Sequence, residues 1–165
     1  MASRDTRWLD GAQQASWRAL IIGMTLLTDR LDSDLQQAFD LSFTEYEILV
    51  RLSEKPERQL RMAQLADALA HSRSRVTHTV TRMEKAGLVE RSHAVDDRRG
   101  IVCTMTDAGQ AVLEQAAHVH VNGVRDYLVD RADPDDLEAV GRAMNAVIDN
   151  LIAAHPEMDI RTQGT

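Results

Sequence analysis

A single cysteine, Cys103, stands in a chain of 165 residues, which excludes an internal disulfide framework and fits a reducing compartment. Aromatic residues are only 4%, so Ala, Leu, Val and Met must fill the interior. That balance favours packed helices over a β-sandwich, because strands prefer β-branched and aromatic side chains. Proline and glycine are sparse, at three and eight, and fall mostly between periodic segments, which leaves room for long helices. The longest apolar run, Ala19–Leu27, is interrupted by Gly23 and Thr25 and is too short to span a bilayer. No apolar stretch follows a basic start, so no signal peptide and no membrane association are expected, and the chain is expected to be cytoplasmic.

What the chain has is acid, with a net charge of −7. The acid is unevenly spread. Between His71 and Gly100 lie seven cations (Arg73, Arg75, Arg82, Lys85, Arg91, Arg98, Arg99) and four carboxylates (Glu84, Glu90, Asp96, Asp97), a local +3 against −10 elsewhere. Contact with a polyanion is decided by such local charge, whereas the acidic remainder aids solubility.

The periodicities predict a helical protein with one small β element. Leu20, Met24, Leu27, Leu31 and Leu35 mark a long helix from about Gln13 to Phe39. Thr44 with Glu47 reads as a capping box for a second helix ending near Ser53, with Tyr46, Ile48, Leu49 and Leu52 as candidate core. Residues 54–60 read as a polar loop around Pro56. A short helix over Met62–Ala68 and a longer one over Ser72–Ala86 follow, the latter stopped by Gly87. Leu88–His93 and Ile101–Met105 read as a two-stranded hairpin with a charged turn. Thr106 and Asp133 are expected to cap two further helices, the second opening with Pro134 and carrying Leu137, Val140, Met144, Val147 and Leu151 on one stripe. His155-Pro156 should end it, ahead of a disordered tail.

Helix, turn, polar helix and basic hairpin together are the layout of a winged helix-turn-helix, which presents one helix and one finger to duplex DNA. On the second of these helices Val76, Val80 and Met83 share one face. Ser74, Arg75, His78, Arg82 and Lys85 step along the other, and residues 71–83 contain no acid. Ser, Thr and His near the helix start can reach base edges, and arginine can donate two bonds to guanine, worth about 1–3 kcal/mol of discrimination. An ordinary solvated face is the plainer alternative, although such faces usually mix Glu with Lys. The hairpin tip, Asp96-Asp97-Arg98-Arg99-Gly100, offers arginines suited to a minor groove. A surface hairpin with neutralising charges is its plainer reading.

The segments Ser72–Thr77, Val80–Glu84, Gly87-Leu88-Val89, Asp97-Arg98-Arg99 and Met105–Gly109 carry a likeness to a known family. The chain resembles the MarR family of bacterial transcription regulators over nearly its whole length, with Met105 where the family usually has Leu. The resemblance implies homodimers on inverted-repeat operators, usually repressors released by a small, often aromatic ligand. It maps the wing arginine of the family onto Arg99 and its partner aspartate onto Asp97. The expected DNA-binding set is Ser72, Arg73, Ser74, Arg75, Thr77, His78, Arg82, Asp97, Arg98 and Arg99. The expected organisation is an N-terminal dimerisation helix (1–40), a winged DNA-binding lobe (41–105) and C-terminal dimerisation helices with a tail (106–165). A monomeric bundle around the wing is the alternative.

For a ligand, Trp17 and Arg18 offer an aromatic wall and a carboxylate partner to an aromatic acid; the plainer reading makes Trp17 core and Arg18 a surface charge or a subunit salt bridge. Cys103 alternates onto the face of Ile101 and Met105, so it reads as a small buried hydrophobe rather than a redox sensor. His118 and His120 diverge on their helix and make a poor chelate, so neither a metal nor another cofactor is expected. The chain shows no Gly-rich phosphate loop, nucleophile elbow or metal-spaced His/Cys set, which argues against an enzyme. A winged-helix protein-interaction module, or a redox-responsive regulator using Cys103, remain alternatives to a ligand-responsive repressor.

Overall fold

A computed structural model describes residues 6–94 and 100–153. Helix α1 (Gly11–Phe39) begins at a capping box in which the Asp10 carboxylate accepts from the Gln13 backbone N–H at 2.8 Å. It ends at Asp40, whose φ of 53° is left-handed. Helix α2 (Phe43–Ser53) follows after two residues. The expected cap at Thr44 is two residues late: Ser42 is the N-cap, and Glu45 completes the box. Both Ser42…Glu45 and Thr44…Glu47 fit the capping pattern in sequence. The chain takes the earlier frame because the Asp32 carboxylate on α1 accepts from the Phe43 N–H at 2.7 Å, which pins the first turn there. Leu41 before the cap and Tyr46 after it are both buried in the same cluster, as a hydrophobic staple requires.

Residues 54–60 are more ordered than a loop. A single helical turn (Pro56–Arg58) leads into strand β1 (Gln59–Arg61), which pairs antiparallel with a later strand and makes the expected hairpin a three-stranded sheet. Three residues are too few to show alternation, so nothing in the sequence distinguished this strand. Helix α3 (Met62–Ala68) and helix α4 (Arg73–Lys85) form the helix-turn-helix, with Ser72 as N-cap of α4. Gly87, at φ +74°, turns the chain out of α4 into β2 (Val89–His93). β3 (Ile101–Met105) returns between β1 and β2, setting Cys103 opposite both Leu60 and Arg91.

Thr106 caps α5 (Asp107–Val124) through its hydroxyl, which accepts from Gly109 N–H and donates to the Gly87 carbonyl, tying α5 to the exit of α4. Gly109 is required there, because a Cβ would collide with the Leu88 carbonyl. α5 widens into a π-helical stretch, Arg125–Val129, where the Tyr127 hydroxyl accepts from Arg30 and donates to Asp34 on α1. Asp133 caps α6 (Pro134–Ile152), with Pro134 in its first turn.

One core joins Leu35 of α1, Ile48, Leu49 and Leu52 of α2, Leu65 of α3, Val76, Val80 and Met83 of α4, Cys103 and Met105 of β3, and Leu113 and Ala116 of α5. α6 contributes nothing: none of its residues, all of them described, is buried. The architecture is a mainly helical winged helix with flanking helices, and among the described residues no helix is long and apolar enough to cross a membrane.

Candidate nucleic-acid interface

α4 divides cleanly along its length. Val76, Val80 and Met83 are wholly buried, while Ser72, Arg73, Ser74, Arg75, Thr77 and His78 are all exposed at its N-terminal end. Ser72 Oγ accepts from the Arg75 N–H at 3.3 Å and lies 3.3 Å from Ser74 Oγ, so the first turn is organised by hydroxyls. No acid occupies that turn. The unsatisfied N–H groups and the positive end of the helix dipole are therefore left for an external anion. The Thr77 hydroxyl donates to the Arg73 carbonyl at 2.8 Å, which commits its proton to the helix and leaves its lone pairs and methyl facing outward.

Arg82, expected among the outward donors, is engaged elsewhere. Its Nε donates to Glu45 Oε1 at 2.7 Å and its terminal nitrogen to Ser42 Oγ at 3.0 Å. Glu45 is the one buried charged residue among those described, at 4% exposure. Besides Arg82 it accepts from Ser42 N–H and Ser42 Oγ, both at 2.8 Å, so its charge is met by three donors. The interaction ties the recognition helix to the first turn of α2. The sequence carried its signal only as the Ser42…Glu45 capping pattern.

A second pair anchors the wing. Glu84 at the end of α4 accepts from the Arg91 N–H at 3.0 Å and from its guanidinium at 2.6 and 3.1 Å. These bonds hold the Glu84 carboxyl below the usual carboxylate range. Two cations of the basic window, Arg82 and Arg91, are thus spent on internal carboxylates, while Arg73 and Arg75 stand exposed at the head of α4 and Lys85 at its end. Asp97, Arg98 and Arg99, expected at the wing tip, lie outside the described residues, as do His155-Pro156 and the tail.

Where α1 passes the heads of α2 and α4, a cleft of about 600 Å³ opens. Met24, Thr25, Thr28, Asp29 and Asp32 line it from α1, Phe43, Thr44 and Glu47 from α2, and His71 and Arg75 from the α3–α4 turn and the first turn of α4. Trp17 and Arg18 do not line it: both are exposed, Trp17 at 55%. Burial pushes the Glu47 carboxyl up, against the pull of Arg51 and Arg75. Burial, helped by Arg75, pushes His71 down, and the His71 Nδ1 is buried without a hydrogen-bond partner.

The remaining sensor candidates lie apart from this cleft. Cys103 is fully buried and its thiol is pushed up to about 12, first by desolvation. His120 packs 4.7 Å from the Tyr46 ring and 5.8 Å from that of Phe43, joining α5 to α2, and burial lowers its pKa. His118 is exposed, and among the described residues no group of three His, Cys, Asp or Glu is arranged to hold a metal ion.

Comparison with known proteins agrees with this layout. The sequence profile of the MarR family matches residues 39–100. The chain is 31% identical over 114 residues to the HTH-type transcriptional regulator PecS of Dickeya dadantii, covering 66% of this chain and 69% of that protein. Its fold superposes with a TM-score of 0.86 on Sco3205 of Streptomyces coelicolor, a MarR family transcriptional regulator crystallised with DNA, at 39% identity and covering 90% of this chain and 93% of that one. AbsC, another MarR family regulator of Streptomyces coelicolor, gives a TM-score of 0.83 at 38% identity, covering 90% and 99%.

Proposed function

The chain belongs to the MarR family of transcriptional regulators, and from that premise we propose that it binds duplex DNA as a homodimer and represses from inverted-repeat operators. The observation that carries the reading is the head of α4. Arg73, Ser74, Arg75 and His78 are exposed on a helix end that has no acid, held rigidly by a buried apolar face. In a major groove that end supplies donors to base edges and helix N–H groups to phosphate. Arg82 serves as a brace to Glu45 rather than as a reader. Arg98 and Arg99 are assigned to the minor groove on sequence grounds alone, with Asp97 orienting an arginine.

Homodimerisation is supported by apolar residues that one chain does not cover: Ile22 and Leu26 on α1, and Val140, Val147 and Leu151 on α6, are all exposed. Two lobes related by a two-fold axis read half-sites about one helical turn apart. The cleft between α1 and the lobe is the proposed seat of a small effector, because a ligand there touches both the outer helix and Arg75 of the recognition helix. A redox switch at Cys103 is disfavoured, since the thiolate is the reactive form and this thiol is buried and hard to ionise.

The test is selection of bound fragments from the source genome at near-physiological salt, with Arg75→Ala and Arg99→Ala as controls. The reading predicts an enriched inverted repeat, weakened in both controls, whose affinity falls steeply with added salt as counterions return. Absence of enrichment from well-folded protein would overturn it.

A further inference from the structure

We propose that the cleft between α1, α2 and α4 takes a small organic cation, such as an aromatic amine or amidine, rather than an organic acid; this rests on the regulatory reading above and names its ligand class. The expectation of an aromatic acid depended on Arg18 as its partner, and Arg18 does not line the cleft. The groups that do line it carry the opposite sign. Within the lining Asp29, Asp32 and Glu47 stand against one guanidinium, that of Arg75, while Arg51 acts on Glu47 and Arg82 on Asp32 from behind the wall.

The three carboxylates are not equally available. Asp32 is committed to the Phe43 N–H at 2.7 Å, but its charge remains in the wall. Asp29 is on the exposed rim. Glu47 is half-buried, and its carboxyl is raised because it has lost water that neighbouring Arg51 and Arg75 only partly replace. A ligand cation would supply that missing compensation. An acid would enter against three like charges with only Arg75 to receive it.

The rest of the lining fits an organic cation rather than a bare ion. Met24 and Phe43 give apolar wall for the ring of such a ligand. Among the described residues no cluster has the ligands to hold a metal. A volume of about 600 Å³ lies within the usual range for small-molecule sites.

Arg75 makes the proposal sharp, because it is the like charge that a cationic ligand must tolerate. Titration calorimetry of the full chain without DNA, using benzamidine and salicylate as ring-matched probes of opposite sign, reads the cleft directly. Benzamidine should bind once per chain and salicylate should not. Glu47→Gln should weaken benzamidine by about tenfold or more, the loss of one charge-assisted contact. Asp29→Asn, at an exposed position that folding does not need, should weaken it less, and Arg75→Ala should tighten it. Salicylate binding that Arg75→Ala abolishes would overturn the proposal. So would benzamidine binding indifferent to Glu47→Gln and Asp29→Asn, or no benzamidine binding at millimolar concentration. Because none of these readouts uses DNA, an operator-binding protein with an indifferent cleft fails this proposal alone. A cation-binding protein without an operator fails the regulatory reading alone.

Discussion

On α4, Val76, Val80 and Met83 step by four and three and are wholly buried, whereas on α6 Val140, Val147 and Leu151 step by seven and four along one face and stand 48, 45 and 70% exposed. The two helices are written in one language and completed differently. The winged lobe finds its apolar partners inside the chain, from α1 through β3 to α5, and meets its buried charge at Glu45 with three donors. The outer helices do not. The N-terminal half of α1 and the whole of α6 bury no residue, and Ile22, Leu26, Val140, Val147 and Leu151 stand exposed. A stripe of that kind on a long capped helix calls for another surface, and in the proposed homodimer a second copy supplies a matching one.

The comparison can be broken first at its stronger side. Leu49→Ala removes a wholly buried side chain between α2 and the rest of the core. It should cost about 3 kcal/mol of unfolding free energy, read from the denaturant midpoint. A cost near zero would mean that the lobe is not the self-sufficient body described. Next comes the other side. Val140→Asp with Val147→Asp places two charges on one face of α6 and should leave lobe helicity intact while shifting the mass seen in light scattering from two chains to one. An unchanged mass would leave the outer stripes without the role given them.

A smaller effect probes the seam between the regions. Glu45→Ala removes the capping-box partner of Ser42 at the head of α2 and strands Arg82, and should cost about 1–2 kcal/mol. Its circular dichroism should stay native, while operator affinity falls because α4 loses its brace. Arg75→Ala should lower operator affinity with no change in stability, which separates a contact from a brace. The smallest effect is pH. His71 and His120 both have pKa values lowered by burial, so the unfolded chain binds their protons more readily than the folded one. Their contribution to stability is complete above the ordinary histidine pKa and is lost as pH falls below it. The melting temperature should therefore decline on acidification from neutral pH, and substituting His120 by Gln should flatten part of that slope. A slope of the opposite sign would mean that burial does not govern these rings.

How much of this was legible in sequence depended on whether the deciding contact was local. Ser72 and Gly87 bracket α4, and Thr106, Asp133 and Pro134 start the two later helices, because caps and stops act within a few residues. The start of α2 was misplaced by two residues because the choice between two capping frames is made by Asp32, eleven residues away on another helix. Strand β1 is not legible because its partner is β3, the second strand of the wing, far along the chain, and its three residues carry no period. Arg82 looked like a reader because its position on α4 faces out. What turns it away is Glu45, 37 residues earlier. The cleft is illegible for the same reason: α1, α2 and the head of α4 meet only in the fold, so Glu47 and His71 give no sign in sequence of their shared environment, and Trp17 and Arg18 lie exposed outside its lining.

In the proposed regulator a lobe complete in itself works only as one of a pair. Native mass spectrometry of the protein on its selected operator duplex tests it most directly, by counting chains per DNA. The account predicts two chains on each inverted repeat, and loss of that complex for the Val140→Asp, Val147→Asp chain at the same concentration. A single chain bound at undiminished affinity, in either protein, would contradict it.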